Sequence, residues 1–433
     1  MNSIDLPKAT NMWTEQERGL YNQLPIYLNK RQIEYIKEYD TWLKVLEEDP
    51  WVANVGTTMR GVNKVPAPTL RGDFIPNVIT DEPNRDVIEV RETSEDCKLY
   101  MHDFESNIFD FRPSFQDFLT DHIDFTSDQI AEKSMVGKDL FYRTAIFHGS
   151  PFVWICGKND GTPELTSAPF WTGGIVARSK SQAWLQAQIP KIGGMLDLRN
   201  FKKLGIVMSS DLRSLPYSGK KLPDGTDGSG LQEKFLMICG SEVWFGLTDD
   251  TPGADREANY LLNNRKLDLD VVTNGFRGSL WGMWTTRHEC KEMRIALDGS
   301  VPAPDTVEEG AGAYDFGDTV PNEAWVNAPI GVAFAMGRQT WKAKRVGPPP
   351  KPFNSSMGGM SINQFNGMDW SGKVHLTRNL IVMRNDSGGG LAPDTNKYGD
   401  KCQLISRVTM GIAPLRRRNL VPVLYRRSRI STT

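Results

Sequence analysis

Residues 114–149 read SFQDFLTDHIDFTSDQIAEKSMVGKDLFYRTAIFHG, and this stretch decides the fold. Its apolar residues recur at the spacing of one helical face. Those apolar positions are Phe115, Phe118, Leu119, Ile123, Ile130, Leu140, Phe141 and Phe147. The pattern predicts a helix of up to about 35 residues and about 50 Å, with Gly137 as a point of interruption. Ser114, with Asp117 three residues later, resembles a capping box at its start.

The residues nearer the N-terminus predict another amphipathic helix. In residues 29–49 apolar side chains share one helical face, and charged residues fill most other positions. The apolar positions are Ile33, Ile36, Leu43 and Leu46. Because proline interrupts a helix interior, we expect this helix to end before Pro50.

A long extended arm is predicted between these two helices. Several prolines punctuate residues 61–86, which excludes a helix and favours extended chain and open turns. The residues that follow predict two short strands, Val87–Arg91 and Lys98–His102, around a polar turn at Thr93–Asp96. Since a long irregular segment is uncommon inside a compact monomer, we expect this arm to be functional or to contact a neighbouring molecule.

The second half of the chain predicts mixed helix and strand, an α+β pattern. An amphipathic helix is predicted from Trp184 to Leu196, with a kink at Pro190. Short apolar runs predict strands. These runs are Leu204–Met208, Phe235–Cys239, Leu267–Val272, Glu292–Leu297, Ile330–Met336, Trp341–Val346, Val374–Met383, Leu404–Ile412 and Leu420–Tyr425.

Composition excludes several classes of protein. The 433 residues carry 51 basic and 53 acidic side chains, a balance that argues against a dedicated nucleic-acid-binding domain. The N-terminus has no pattern of a secretory signal, and no apolar run approaches the roughly 20 residues of a membrane-spanning helix. The cysteines lack metal-ligand or disulfide spacing, so we expect reduced thiols. They are Cys97, Cys156, Cys239, Cys290 and Cys402.

No catalytic, phosphate-binding or metal-binding motif is present, so we predict neither enzymatic activity nor a cofactor nor a metal. His288 lies two residues from Cys290, but on a strand the two would be ordinary neighbours. Asp224 and Asp227 lie in a glycine-rich loop with too few oxygen ligands for a calcium site. The basic strand around Trp341 could bind a phosphate backbone, although alternation in a half-exposed strand explains it better.

The order of these elements resembles that of the major capsid proteins of tailed bacteriophages. Their Hong-Kong-ninety-seven-like fold is shared with herpesvirus shells and encapsulins. Four stretches carry the local likeness. They are QAWLQAQIPKIGGMLDLRNFKKLGIVMSSDLR (182–213), VTNGFRGSLWGMWTTRHECKEMRI (272–295), EAWVNAPIGVAFAMGRQTWKAKRVGPP (323–349) and YGDKCQLISRVTMGIAPLRRRNLVPVLYRR (398–427).

The resemblance implies an α+β phage capsid fold in five parts. The parts are an N-terminal arm with an amphipathic helix at 1–55, an extended E-loop with flanking strands at 56–112, a P-domain with a long spine helix at 113–178, an A-domain with inserted loops at 179–370, and return strands of the P-domain at 371–433.

The resemblance also implies function. We expect a major capsid protein that self-assembles, through pentamers and hexamers and contacts between neighbouring capsomers, into the icosahedral shell of a tailed phage. Double-stranded DNA would lie against its inner face without sequence-specific contacts. Portal, scaffolding and decoration proteins are further candidate partners, and no membrane contact is expected. Assembly would take place in the host cytoplasm, and the protein would reside in the virion capsid.

Two groups of residues are the candidate subunit interface. Four apolar residues of the extended arm, Phe74, Ile75, Val78 and Ile79, are expected to be covered by a neighbouring subunit. The arginines Arg416, Arg417 and Arg418 separate two runs that read as buried strand. We expect them to contact acidic surfaces of a neighbour, such as residues 47–49, or packaged DNA, because arginine binds carboxylates and phosphates bidentately.

Other assignments remain open from the sequence alone. A portal or tail-tube protein is a second kind of virion component, although a portal would need longer helices and a tail tube a shorter chain richer in strands. An encapsulin-like compartment would share the capsid fold. A carbohydrate-active enzyme that stacks sugars on some of the 12 tryptophans is the least favoured alternative.

Overall fold

The computed structural model describes residues that form two large sheets, a long helix and two apolar clusters. The described residues are 42, 45–51, 58–64, 92–105, 109–110, 116–157, 164–216, 235–240, 242–243, 276–280, 283–287, 292–307, 319–346, 379–385 and 401–427. The predicted capping box at Ser114, the predicted strands Val87–Arg91 and Leu267–Val272, and the arm residues Phe74, Ile75, Val78 and Ile79 lie outside this part.

The described elements include both helices and strands, and strands are the more numerous. The helices are α1 (Gln116–Gly149), α2 (Gln182–Gln188), α3 (Leu198–Ser210) and α4 (Glu323–Val326). The strands are β1 (Glu47–Trp51), β2 (Thr58–Lys64), β3 (Glu92–Glu105), β4 (Phe109–Asp110), β5 (Phe152–Ile155), β6 (Glu164–Ser167), β7 (Phe235–Cys239), β8 (Phe276–Leu280), β9 (Met283–Arg287), β10 (Arg294–Ile295), β11 (Asp305–Val307), β12 (Thr319–Pro321), β13 (Ile330–Met336), β14 (Trp341–Val346), β15 (Asn379–Asn385), β16 (Lys401–Pro414) and β17 (Leu420–Arg426).

The long helix predicted from residues 114–149 is confirmed. Helix α1 runs for 34 residues, about 51 Å at 1.5 Å per residue, and Gly137 does not interrupt it. This glycine serves packing instead, because a Cβ atom at position 137 would lie 2.6 Å from the ring of Phe104 on β3. The missing side chain therefore allows β3 to approach the helix closely. No described helix has both the length and the apolar composition needed to cross a lipid bilayer.

A seven-stranded sheet contains β2 and β3, the strands on either side of the predicted arm, whose residues 65–91 lie outside the described part. Its main path is β1-β14-β16-β3-β2, and β15 and β4 also pair with β16. Strands β2 and β3 are antiparallel, from Thr58 opposite Lys98 to Lys64 opposite Glu92. The predicted polar turn at Thr93–Asp96 is therefore wrong, because these residues lie inside one continuous strand whose backbone groups pair with β2.

An eight-stranded sheet forms the second layer, in the order β6-β5-β17-β13-β7-β9-β8, with β10 paired to β13. Strands β13 and β17 are antiparallel over their whole length, from Ile330 opposite Arg426 to Met336 opposite Leu420. Every residue of β13 is buried, as expected for an apolar strand covered on both faces.

The described core consists of two apolar clusters that share strands of the eight-stranded sheet. The first, here the helix-side core, includes Phe147 of α1, Trp341 of β14 and Phe334 of β13. The second, here the opposite core, includes Phe201 and Met208 of α3. Alternate residues of β13 and β17 contribute to the two clusters, so this sheet separates them.

Three local predictions between residues 184 and 297 need correction. Residues Leu204–Met208 form no strand but lie within helix α3, whose N-terminus is capped by Asp197 accepting from the Asn200 N–H. The helix predicted from Trp184 to Leu196 ends earlier, in a 3-10 turn at Ile189–Lys191 that contains Pro190. The strand predicted at Glu292–Leu297 is reduced to Arg294–Ile295, followed by a tight turn at Gly299.

Most of the predicted N-terminal helix, residues 29–41 and 43–44, lies outside the described residues, and its described end comes before Pro50 and sooner than the pattern suggested. Trp42 and Val45 are helical, and the N–H of Leu46 donates to the carbonyl of Trp42. From Glu47 the chain is strand β1, parallel to β14 at the edge of the seven-stranded sheet. Residues 47–49 are therefore not the helix charges that we proposed as partners of the arginines.

Candidate functional site

The three candidate arginines lie where the chain passes from one sheet to the other. Strand β16 belongs to the seven-stranded sheet and β17 to the eight-stranded sheet, and a 3-10 turn at Arg417–Asn419 joins them. The N–H groups of Leu415 and Arg416 both donate to the carbonyl of Thr340, in the connection between β13 and β14. The turn between β16 and β17 is thus hydrogen-bonded to the β13–β14 connection, where the chain also passes from one sheet to the other.

Arg417 points into its own subunit. Its side chain is 4% exposed, and its guanidinium donates to the carbonyl of Gly149 at 2.7 Å. The guanidinium carbon lies 4.6 Å from the ring centre of Trp171 and 4.9 Å from that of Trp341. Cation–π attraction of this kind is strengthened by burial. The contacts assign Arg417 a role inside the subunit, and they favour it least among the three arginines as an interface residue.

Lys180 binds the same end of helix α1. The residue is 2% exposed, and its ammonium donates to three carbonyls, Phe147 at 2.6 Å, Ser150 at 2.8 Å and Pro169 at 3.1 Å. The last turns of a helix expose carbonyls without intrahelical partners and carry a partial negative charge. A buried lysine and a buried arginine thus stabilise the C-terminal end of the long helix.

Five successive carbonyls at this end of α1 have donors from elsewhere in the chain or from the next turn. The donors are Trp171 Nε1 to Ala145 (2.8 Å), Ser150 Oγ to Ile146 (2.8 Å), Lys180 Nζ to Phe147 (2.6 Å), Trp171 N to His148 (3.3 Å) and Arg417 Nη1 to Gly149 (2.7 Å). We name Lys180, Arg417, Trp171, Trp341 and His148 the helix-end cluster. It joins the helix, the loop after β6 and both sheets.

Electrostatics in the helix-end cluster follow from burial. Burial, and then the charge of Arg417, lowers the pKa of the Lys180 ammonium to about 7. Burial, and then the charges of Lys180 and Arg178, lowers the pKa of His148 to about 4. The backbone N–H of Lys180 donates to His148 Nδ1 at 3.1 Å, which requires this nitrogen to be unprotonated.

Acid is expected to destabilise the subunit through His148. Since its pKa is lower in the folded chain than its ordinary 6.5, the unfolded chain binds the proton first as pH falls. The stabilisation is complete above about pH 6.5 and is lost as pH falls towards 4, by up to about 3 kcal/mol. His148→Gln retains an acceptor without titrating, so its free energy of unfolding should vary less over this window. Equal pH dependence in parent and variant, measured by urea unfolding, would contradict this assignment.

A second group of buried charges lies at the far end of β17. Arg427 Nε is 2.9 Å from Glu242 Oε2 and 4.0 Å from Glu292 Oε1. Glu292 also accepts from Arg294 Nε at 3.0 Å and from the Tyr425 hydroxyl at 3.1 Å. We name these five residues the buried charge network. Burial in the first place, with the charge of Glu292, raises the pKa of Tyr425, so its hydroxyl stays protonated as a donor.

The other two candidate arginines are more accessible. Arg418 is exposed and Arg416 is half-buried. The Nε of Arg416 has no hydrogen-bond partner among the described residues. Their part in a subunit interface stays a prediction, as does that of the arm residues Phe74, Ile75, Val78 and Ile79.

Of the sites considered and set aside in the sequence, His288, Cys290, Asp224 and Asp227 lie outside the described residues, and Trp341 lies within them. Trp341 is fully buried beside a half-buried Lys342, the alternation of an ordinary strand, so its ring is not available for base stacking. No group of three or more potential metal ligands occurs in the described part of the chain. Cys97, Cys156 and Cys239 are buried and form no disulfide in the described part of the chain.

Sequence reasoning missed Lys180 and the whole buried charge network. A lysine between Ser179 and Ser181 carries no signal of burial, and charged residues are almost never fully buried unless paired. The partners of Arg427 come from distant positions in the chain, which no local pattern reveals.

Comparison with solved structures identifies the fold. The chain is similar to the capsid protein of Ralstonia phage GP4, with a TM-score of 0.51 and 10% identity over 92% of this chain and 93% of that one. The cyanophage Pam1 capsid gives a TM-score of 0.45 and 11% identity over 90% and 88% of the two chains. A virus-like particle from Pyrococcus furiosus gives 0.38 and 8% over 92% and 97%. No protein-family model and no curated protein sequence matches the chain.

The chain therefore has the fold of a phage capsid protein. The likeness to the Ralstonia phage capsid extends over nearly the whole of both chains and includes helical and sheet parts together. The α+β capsid fold predicted from the order of sequence elements is confirmed. The five domain boundaries given above stay predictions.

Proposed function

We propose that this chain is the major capsid protein of a tailed bacteriophage and self-assembles into an icosahedral shell around double-stranded DNA. The observation that carries the proposal is the likeness in fold to the Ralstonia phage GP4 capsid over 92% of the chain. The proposed role is architectural. It would be exerted in the virion, after assembly in the host cytoplasm, and needs neither a catalytic residue nor a cofactor.

The described part of the subunit suits the proposed role because its helix and two sheets are joined by buried contacts, with strands β2 and β3 on either side of the predicted arm. Helix α1 and the two sheets are joined through the helix-end cluster by buried contacts. These contacts favour a rigid subunit, as a shell requires. Strands β2 and β3 are paired with each other. The arm between them has too little apolar surface to offset its ordering entropy by itself. We propose that a neighbouring subunit covers its residues Phe74, Ile75, Val78 and Ile79.

Contacts between subunits would be numerous and individually modest. Closed symmetric assemblies repeat the same contact many times, and multivalency turns weak contacts into a stable shell. Pentamers and hexamers of the chain, neighbouring capsomers and packaged DNA are the proposed partners. Portal, scaffolding and decoration proteins are proposed as further ones.

Arg416 and Arg418 are proposed to contact an acidic surface of a neighbouring subunit or DNA. Arg416→Ala combined with Arg418→Ala should leave the free energy of unfolding within about 1 kcal/mol, because neither side chain is fully buried. The same double variant should reduce the yield of fast-sedimenting particles. Arg417→Ala is the matched contrast, since it should destabilise the isolated subunit. Normal particle yield from the double variant would remove these two arginines from the interface.

Sedimentation velocity of the purified full chain tests the proposed function. A capsid protein should leave the monomer boundary and form rings or closed particles as its concentration rises, alone or with its co-expressed neighbours. A chain that remains monomeric at every concentration and in every such mixture would contradict the proposal.

A further inference from the structure

The last of the described strands lies in the middle of the eight-stranded sheet. Strand β17 is bonded to β13 on one side over seven residue pairs and to β5 on the other, with Val423 opposite Trp154. Both neighbouring strands, β5 and β13, precede β17 in the chain by more than 80 residues. The sheet that holds the core together therefore cannot close until residues 420–426 are present and have docked.

Strand β17 completes both apolar clusters. Leu420 and Leu424 belong to the helix-side core, and both are 0% exposed. Val421, Val423 and Tyr425 belong to the opposite core. The Tyr425 ring also fills the space above Gly331, where a Cβ atom would lie 2.4 Å from it. Without β17 both cores would present an open apolar groove between β5 and β13.

The end of the same segment balances buried charge. The Arg427 guanidinium donates to the carbonyls of Val326 and Ala328, both at 2.8 Å, in addition to its ion pair with Glu242. Before Arg427 docks, Glu292 keeps its ion pair with Arg294 at 3.0 Å, but the ion pair between Arg427 and Glu242 and the two hydrogen bonds to backbone carbonyls are not yet formed. Docking of residue 427 therefore adds three polar contacts that stabilise the closed state.

We propose that residues 420–427 act as a completion segment whose docking converts the subunit from an open, assembly-incompetent chain to a closed, assembly-competent one. The order of synthesis then separates folding from assembly, because the segment is made after the arm, the long helix and the rest of both sheets. The link to assembly rests on the proposed capsid function. The docking step itself does not depend on it.

The accessibility of three buried cysteine thiols can be used to follow the docking of β17. Cys156 and Cys239 lie in the opposite core, in the cluster that contains Val421 and Val423. Cys97 is fully buried in β3, in the seven-stranded sheet, and lies outside both clusters. If β17 docks as a separate step, Cys156 and Cys239 should become accessible without Cys97. If the chain folds in one step, all three should change together.

The first experiment uses the full chain with Val423→Asp, which places a carboxylate in the apolar core and prevents docking. Alkylation by iodoacetamide, mapped by mass spectrometry, should accelerate at least about 100-fold at Cys156 and Cys239 and change little at Cys97. The variant should form no particles. Ile206→Asp is the matched control, because Ile206 is 61% exposed on α3, and its thiols should react as in the parent chain.

The second experiment follows the unaltered chain, since Val423→Asp could unfold the whole subunit. During refolding from denaturant, pulses of iodoacetamide should show Cys97 protected first, then Cys156 and Cys239 together, with light scattering from particles rising only after the second event. Simultaneous protection of all three thiols would overturn the proposal, as would particle growth before Cys156 and Cys239 are protected. Ordered protection without any particles would support the docking step and contradict the capsid function instead.

Discussion

Arg427→Met is expected to lower the free energy of unfolding by about 3–5 kcal/mol, the usual cost of removing one partner from a buried ion pair. Its side chain is only 6% exposed, and it neutralises Glu242 while bonding two backbone carbonyls. Methionine has a similar length and can retain some packing, so the loss isolates the charge and its hydrogen bonds. Urea unfolding followed by tryptophan fluorescence measures the change.

Two variants separate this electrostatic cause from a general packing defect. Arg426→Met changes the adjacent, half-buried arginine and should alter stability by about 0.5 kcal/mol or less. Adding Glu242→Gln to Arg427→Met removes the carboxylate whose ion pair with Arg427 is lost and should recover about 1–2 kcal/mol. A double variant as unstable as Arg427→Met alone would show that the ion pair is not the source of the loss.

Trp341→Ala should cost about 3–5 kcal/mol, because it removes the largest side chain that the seven-stranded sheet contributes to the helix-side core. The ring is 0% exposed, lies 5.5 Å from the Trp171 ring and contacts the Arg417 guanidinium. It also closes over Gly149, where a Cβ atom would lie 2.5 Å from the indole. The loss should appear in urea unfolding of the isolated subunit.

The matched variant is Trp341→Phe, which keeps an aromatic face for Arg417. The indole N–H has no hydrogen-bond partner in the described part of the chain, so its removal leaves no acceptor unpaired there. We expect a smaller loss, about 1–2 kcal/mol. A cycle of Trp341→Ala with Arg417→Met should give a coupling of about 1 kcal/mol. Additive losses would show that the two side chains act independently.

Features that depend on local pattern could be predicted from the sequence. The regular apolar spacing from Phe115 to Phe147 is long enough to identify helix α1, and the apolar runs of β7, β13 and β17 identify buried strands. Together with the proline-rich arm, their order sufficed to indicate the capsid fold. These signals are strong because each is repeated over many residues or bounded by turn-forming ones.

Helix α3 shows how a short apolar run misleads. Leu204–Met208 reads as a strand when taken by itself. A wider window contains the helical signal, with Asp197 as N-cap and buried Phe201, Leu204 and Met208 at helical spacing. The exposure of Ile206, 61%, is what that spacing requires. The error came from the length of the window and not from a missing signal.

The candidate site was less accessible to sequence reasoning because it depends on tertiary contacts. The cluster of arginines was noticed, but nothing local distinguishes Arg417, which packs against two tryptophans from other segments, from exposed Arg418 beside it. Lys180 gave no signal at all. Side chains that satisfy helix carbonyls from a distant loop can be recognised only when the fold brings them there.

The most direct test of the proposed function is electron microscopy of the full chain, expressed alone and together with the proteins encoded beside it. The proposed capsid function predicts closed icosahedral shells, or rings of five and six subunits. A stable, folded monomer under all of these conditions, with neither rings nor shells, would contradict it.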